Sequence, residues 1–300
     1  MGEKPGIVGL ELRSTGFSAA FRRADDQNVS ALNVYDSSLE GEQAVSMSEA
    51  LESYVRENNL AGRNCNVVLP CSDYQLLLVE APEVPADELR EAIRWKVKDL
   101  ISISAEQAAV DVFSLPKDAS RNGKDMLYVA VTEREKIANI VELINGSGLK
   151  LNAIDIEELS LGHLVDMKEN SRGSAYVHIR DNTGLLGIYR GGNLYLSRQF
   201  RLDYNGGLLD DLPAEALALE IQRSLDYFER QMGQAPPSIL YVSGYGIGGE
   251  KITDELRQNL AIPLQFYDYS QSGIVADDID EGMAQLSSAA IGVCHRAGVA

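Results

Sequence analysis

The sequence is poor in residues that staple, ligate or anchor. It has three cysteines, three histidines and one tryptophan among 300 residues. Cys65, Cys71 and Cys294 form no CxxC pair, so a disulfide framework is excluded and small buried hydrophobes in a reducing compartment are expected. His163, His178 and His295 are too scattered to suggest a metal site, and no metal is expected. No apolar run approaches the ~20 residues of a membrane-crossing helix. The opening "MGEKPG" lacks a signal-peptide core, which points to the cytoplasm. Basic residues are scarce, 27 against 45 acidic, for a net charge of -18. Without a basic field there is no counterion release from phosphates, so neither nucleic acid nor anionic lipid is an expected direct partner. An acidic surface favours a basic partner segment, although most of the charge serves solubility.

What remains is the composition of a folded protein, 45% hydrophobic and 24% charged. Short apolar runs at 7–12, 17–22 and 29–35 predict three strands, separated by "RSTG" and "RADDQN". A helix follows, opened by Ser46 and Glu49 in capping-box spacing, and "NVVLP" reads as a buried strand. Residues 75–156 read as a separate unit in the order strand, helix, strand, strand, helix, strand. Its first helix repeats Leu89, Ala92, Ile93 and Val97 at helical spacing. Thr132 and Glu135 suggest a capping box for its second, and "LKLNAIDIE" closes it as a strand. From Ser174 three strands return, then a helix from about Pro213 to Met232, a strand running into "SGYGIGGE", a further helix and strand, and an amphipathic helix over 282–296. "Three strands, helix" therefore occurs twice, at 7–58 and 175–232. The expected fold class is α/β, an actin-like (ribonuclease-H-like) pair of β-β-β-α halves with an inserted α+β subdomain. The expected division is 1–74, 157–172 and 282–300 in domain I, 75–156 in the insert, and 173–281 in domain II.

"EAPEVPADELREAIRWKVKDLI", "AAVDVFSLP" and "EIQRSLDYFERQ" closely resemble the MshI family of mannose-sensitive haemagglutinin (MSHA) pilus biogenesis proteins. That family is similar to PilM of type IV pilus systems and, more remotely, to FtsA. The likeness runs along nearly the whole chain and is most specific around Trp95. It implies a cytoplasmic scaffold that docks the N-terminal cytoplasmic tail of a PilN-like (MshJ-type) inner-membrane protein, with membrane association only through that partner. The tail would lie between the first subdomain and the insert, held by apolar pockets and backbone pairing. Leu89, Ile93, Trp95 and Val97 are the candidate groove residues, with Trp95 expected mainly to pack.

The resemblance also implies ATP with Mg²⁺. Actin-like ATPases carry an Asp at the end of the first strand, then glycine and small hydroxyl residues; here the stretch is Glu11, Leu12, Arg13, Ser14 and Thr15. Glu11 keeps the charge with one more methylene, and Arg13 stands where glycine permits close approach. In "HIRDNTG" His178 falls near the second Asp position, Arg180 near its glycine, and Asp181 is displaced; Asp181 and Thr183 remain candidates, although a plain hairpin turn over 181–184 is the preferred reading. At the adenosine end the candidates are Glu220, Arg223 and Ser224 on a helix, and Gly244, Gly246, Gly248 and Gly249 in the turn. No nucleophile triad or elbow emerges. The expectation is a non-catalytic scaffold whose nucleotide site is degenerate or regulatory. Its competitor is an active Mg-ATP-binding ATPase or small-molecule kinase.

Overall fold

The computed structural model describes residues 6–26, 28–37, 45–120, 123–166, 172–180, 182–204, 212–252 and 254–296. β1 (Ile7–Leu12), β2 (Gly16–Arg22) and β3 (Val29–Asp36) form an antiparallel meander. Helix α1 (Met47–Glu57) then crosses over to β4 (Asn64–Leu69), which lies parallel to β1. The helix starts where the spacing predicts: the Ser46 hydroxyl accepts from the Glu49 N–H, and Glu49 accepts in return from the Ser46 N–H. Leu51, Tyr54 and Val55 face the sheet.

The insert is built on a three-stranded antiparallel sheet of β5 (Gln75–Glu80), β6 (Ala108–Ser114) and β7 (Met126–Glu133), in the order β5-β7-β6. Helix α2 (Leu89–Val97) buries Ile93 and Val97 against Val79, Leu127, Val129 and Val131 of that sheet. Two details differ from the sequence pattern. Helix α3 (Arg134–Gly146) has Glu133 as its N-cap with no side-chain cap, because the Thr132 hydroxyl donates instead to the Asp73 carbonyl at 2.7 Å. The strand expected to close the insert, β8 (Lys150–Ile156), pairs in parallel with β4. β4 is buried along nearly its whole length, so its outer edge requires a hydrogen-bonding neighbour, and β8 supplies it. Ile140 and Ile144 of α3 accordingly share a core with Leu51 and Tyr54 of α1.

After α4 (Glu157–Asp166) the first plan repeats. β9 (Ser174–Arg180), β10 (Thr183–Arg190) and β11 (Asn193–Arg201) form the second meander, with Asn182 in the left-handed region between β9 and β10. α5 (Ala214–Arg230) buries Leu217, Ile221, Leu225 and Phe228 and leads to β12 (Leu240–Gly244), parallel to β9. The short α6 (Asp254–Gln258) precedes β13 (Leu264–Phe266), which completes a sheet ordered β11-β10-β9-β12-β13, the counterpart of β3-β2-β1-β4-β8.

The expected terminal helix is two helices, α7 (Glu281–Leu286) and α8 (Ser288–Cys294), separated at Ser287. All seven residues of α8 are buried, so no polar face is needed. It packs on α4, β1, β2 and β4. The approach to β1 is close enough that a methyl group on Gly9 would stand 2.1 Å from the Ala290 carbonyl oxygen. Among the described residues no helix is long and apolar enough to cross a membrane.

Candidate functional site

The ends of β1 and β9 meet. Glu11 is wholly buried, opposite Ser18 of β2 and beside Val68 of β4. Arg180, the last residue of β9, donates from Nη1 to Glu11 Oε1. Its Nη2 lies 3.9 Å from Glu157 Oε1 and 3.2 Å from His178 Nε2. His178 Nδ1 lies 2.8 Å from the Ser243 hydroxyl of β12, the neighbouring strand. Burial, then the Arg180 charge, holds the His178 pKa well below its usual value, so the ring is neutral. A neutral ring protonated at Nδ1 satisfies both contacts, donating to Ser243 and accepting from Arg180. Burial opposes the charge on Arg180, but Glu11 and Glu157 outweigh it and raise its pKa.

From the first hairpin, Arg13 approaches the same carboxylate. Its Nη1 stands 3.6 Å from Glu11 Oε2 and donates to the Ser18 hydroxyl at 2.6 Å. Glu11 Oε2 is buried without a hydrogen-bond donor. Arg13 and Arg180, one from each hairpin, thus flank one glutamate.

A second buried carboxylate pair opens α4. Glu157 Oε2 accepts from the Cys71 N–H at 3.0 Å. The Tyr74 hydroxyl donates to Glu158 Oε2 and accepts from the Glu157 N–H at 3.2 Å, while Ser197 of β11 donates to Glu158 Oε1 at 3.0 Å. Burial raises the pKa of both glutamates. Arg180 pulls Glu157 back toward the charged form, as Tyr74 does for Glu158. Sequence reasoning misses Glu157, Glu158, Tyr74 and Ser243. Two acidic residues at a strand-to-helix junction suit a helix first turn, and that signal alone does not separate a solvated cap from a buried one.

The other expected residues divide. Ser14 and Thr15 are exposed on the β1–β2 turn, where the Thr15 carbonyl accepts from the Ser37 N–H and hydroxyl, each at 2.8 Å. Asp181 lies outside the described residues. Thr183 sits with Asn182, Gln199, Phe200 and Arg201 on an open surface pocket of about 540 Å³. Glu220 accepts from Arg198 of β11 at 3.0 Å and from Arg223 at 2.6 Å, and the Ser224 hydroxyl donates to the Glu220 carbonyl at 2.8 Å. Gly244 has φ +153, and any side chain there would meet the Ile179 carbonyl oxygen at 2.4 Å; its N–H donates to Gln285 of α7 at 3.0 Å. Close packing on β9 accounts for that glycine without a ligand. Gly246, Gly248 and Gly249 follow in the turn. Among the described residues no hydrogen bond or ion pair joins the Glu220 group to these glycines.

The residues present therefore do not fit a Mg²⁺-triphosphate at the hairpins. The carboxylate that would organise the ion already accepts from one guanidinium and faces another.

On the insert, Ile93 and Val97 point inward, fully buried, and Leu89 packs beside them, so these three support a surface from beneath. Trp95, two residues from each along a helix, points the other way and is 57% exposed. Its Nε1–H donates to Glu91 at 2.9 Å, and Lys98 Nζ lies 5.9 Å from its ring centre. Leu100 nearby is also exposed.

No protein-family model and no curated protein matches this sequence. Solved structures match its fold. A chain of a PilM–PilN type IV pilus biogenesis complex superposes with a TM-score of 0.69 at 19% identity, over 98% of this chain and 97% of that one. The cytoplasmic domain of EpsL, an inner-membrane component of the Vibrio cholerae type II secretion system, gives 0.54 at 14%, over 95% and 94%. A protein of unknown function with an actin-like ATPase fold from Bacteroides thetaiotaomicron gives 0.54 at 12%, over 87% and 91%. The chain has the actin-like fold: two mixed five-stranded sheets of the same plan and a small antiparallel sheet inserted, in sequence, between β4 and β8 of the first.

Proposed function

We propose that this chain is a PilM-like docking component of a type IV pilus assembly platform, of the MSHA type. It captures the N-terminal cytoplasmic tail of a PilN-like, MshJ-type inner-membrane protein and is peripheral to that membrane through this partner alone. The insert carries the docking face, and nucleotide binding at the hairpins is degenerate or regulatory. The observation that carries the reading is Trp95, a large aromatic held outward on α2 while its neighbours Ile93 and Val97 form the core beneath. Aromatic side chains of this kind dominate recognition energetics. The full-length likeness to a chain of a PilM–PilN complex supports the class of partner, and the net charge of -18 suits a basic tail.

The test is a calorimetric titration of the purified chain with synthetic N-terminal tails of PilN-like proteins, with and without Mg-ATP. Saturable binding weakened by changes on the outer face of α2 is expected. Binding by no tail, or binding indifferent to that face, overturns the reading. An active Mg-ATP enzyme is the second reading, favoured by Glu11 Oε2, which is buried and accepts no hydrogen bond, with Arg13 Nη1 3.6 Å away as its ion-pair neighbour. Tight Mg-ATP binding that disappears in Glu11→Ala is its signature.

A further inference from the structure

Two isolated substitutions in two phosphate hairpins read as independent losses. In three dimensions they are one arrangement. Glu11 comes from the first half of the fold and Arg180 from the second, 169 positions later, and they bond directly. Around them the charges balance: Glu11 and Glu157 are the carboxylates, Arg13 and Arg180 the guanidiniums. Glu11 has no access to solvent, so its charge is tolerated only because a cation is fixed beside it. A planar guanidinium suits this place, since one face of the fork serves Glu11 while the other nitrogen reaches toward Glu157 and His178. Arg180 is itself positioned by the ladder, because Thr183 of β10 lies directly opposite it and closes the hairpin.

We propose that Arg180 is the resident cation of this junction. It permanently occupies the cation place of the Glu11 carboxylate and ties the two halves together without a bound Mg-nucleotide. The idea deepens the proposed function at one point, the state of the hairpins, and rests on reading 7–22 and 174–190 as the phosphate hairpins. No partner tail enters its test, so its failure leaves the docking proposal standing, and the converse also holds.

The experiment is chemical rescue. Wild type, Glu11→Gln, Arg180→Ala and the double variant Glu11→Gln/Arg180→Ala are melted alone, with Mg-ATP, and with guanidinium chloride at about 20 mM, far below the molar range in which it denatures. Arg180→Ala should melt about 5–10 °C below wild type, the consequence of leaving a buried charge uncompensated. Guanidinium should restore part of that loss in Arg180→Ala and none in the double variant, and Mg-ATP should leave wild type unmoved. Arg180→Ala melting with wild type, or rescue that persists without the Glu11 carboxylate, overturns the proposal. So does a Mg-ATP stabilisation of wild type that is lost in Glu11→Gln, which would mean that Arg180 yields its place to a metal. If Arg180→Ala does not fold, Arg180→Met is compared with the neutral pair Glu11→Gln/Arg180→Met. The neutral pair should be the more stable of the two, and equal stability refutes the tie.

Discussion

Trp95 is the only tryptophan in the chain, so the proposed docking face carries its own reporter. A tail seated on α2 should remove the indole from water and shift its emission to shorter wavelength, with excitation at the red edge where tyrosine does not absorb. The size of the effect follows from exposure. At 57% exposed, a side chain of ~250 Å² offers ~140 Å². Complete coverage would contribute at most ~3.5 kcal/mol at 25 cal/mol per Å². Half coverage is the sounder expectation, because part of the ring stays beside Glu91 and Lys98 and because ordering the tail offsets some of the gain. That leaves ~1.8 kcal/mol, so Trp95→Ala should weaken tail binding ~20-fold. The same change should leave folding stability within ~0.5 kcal/mol, since the indole supports no core. Calorimetry and emission are read on the same samples. Heat of binding with no change in Trp95 emission would place the tail elsewhere and refute the assignment.

Ile93→Ala should behave in the opposite way, destabilising the fold by ~2–5 kcal/mol in urea denaturation by opening a cavity under α2. Gly9→Ala should lower the melting temperature sharply. Its new methyl would sit 2.1 Å from the Ala290 carbonyl and 2.8 Å from Cys294 Sγ, and overpacking of this kind costs ~1–3 kcal/mol or more; a wild-type melting curve would show that α8 does not pack on β1 as described. Acidification should destabilise the protein through His178, whose folded-state pKa is depressed. Below about pH 6.5 the unfolded chain binds a proton there that the folded chain refuses, so stability falls with pH by up to ~1.4 kcal/mol per unit. Glu157 and Glu158, raised by burial, act in the opposite sense, so the measurement is the difference in pH dependence between wild type and His178→Gln across pH 7.5 to 5.5. Identical pH dependence in the two proteins would remove His178 from the account.

The duplicated plan was legible because it is written in local signals: strand runs bounded by Asn182 and Gly-rich turns, the Ser46–Glu49 capping box, and the apolar stripe of α5. What was not legible depends on partners far away in sequence. Whether 150–156 closes the insert or extends the first sheet turns on the open edge of β4, 86 positions back. Thr132 has the spacing of a cap, but its hydroxyl is claimed by Asp73, which no pattern within one helix reveals. Trp95 looked like packing because aromatics usually are; only the direction of α2 against β5–β7 turns it outward. Arg13 and Arg180 each read as damage to a loop, and their shared carboxylate appears only when the halves come together.

The two glutamates at the start of α4 explain how the hairpins and the insert are connected. The segment 71–74, by which the chain leaves β4 and enters β5, is held at both ends: the Cys71 N–H by Glu157 and the Tyr74 hydroxyl by Glu158. Hydrogen bonds to charged acceptors of this kind contribute ~1.5–3 kcal/mol each. Glu157 also faces Arg180, and Glu158 also accepts from Ser197, so one helical turn touches the first sheet's exit, the second meander and the root of the insert. Contiguous contact is the physical precondition for coupling, but coupling also requires an element with two arrangements. Here both carboxylates of the turn are held in one arrangement, Glu157 by the Cys71 N–H and Arg180, and Glu158 by Tyr74 and Ser197. The geometry therefore holds the proposed docking face at a set position relative to the hairpins, and if a tail binds beside Trp95 it should not alter the melting response of Arg180→Ala to guanidinium.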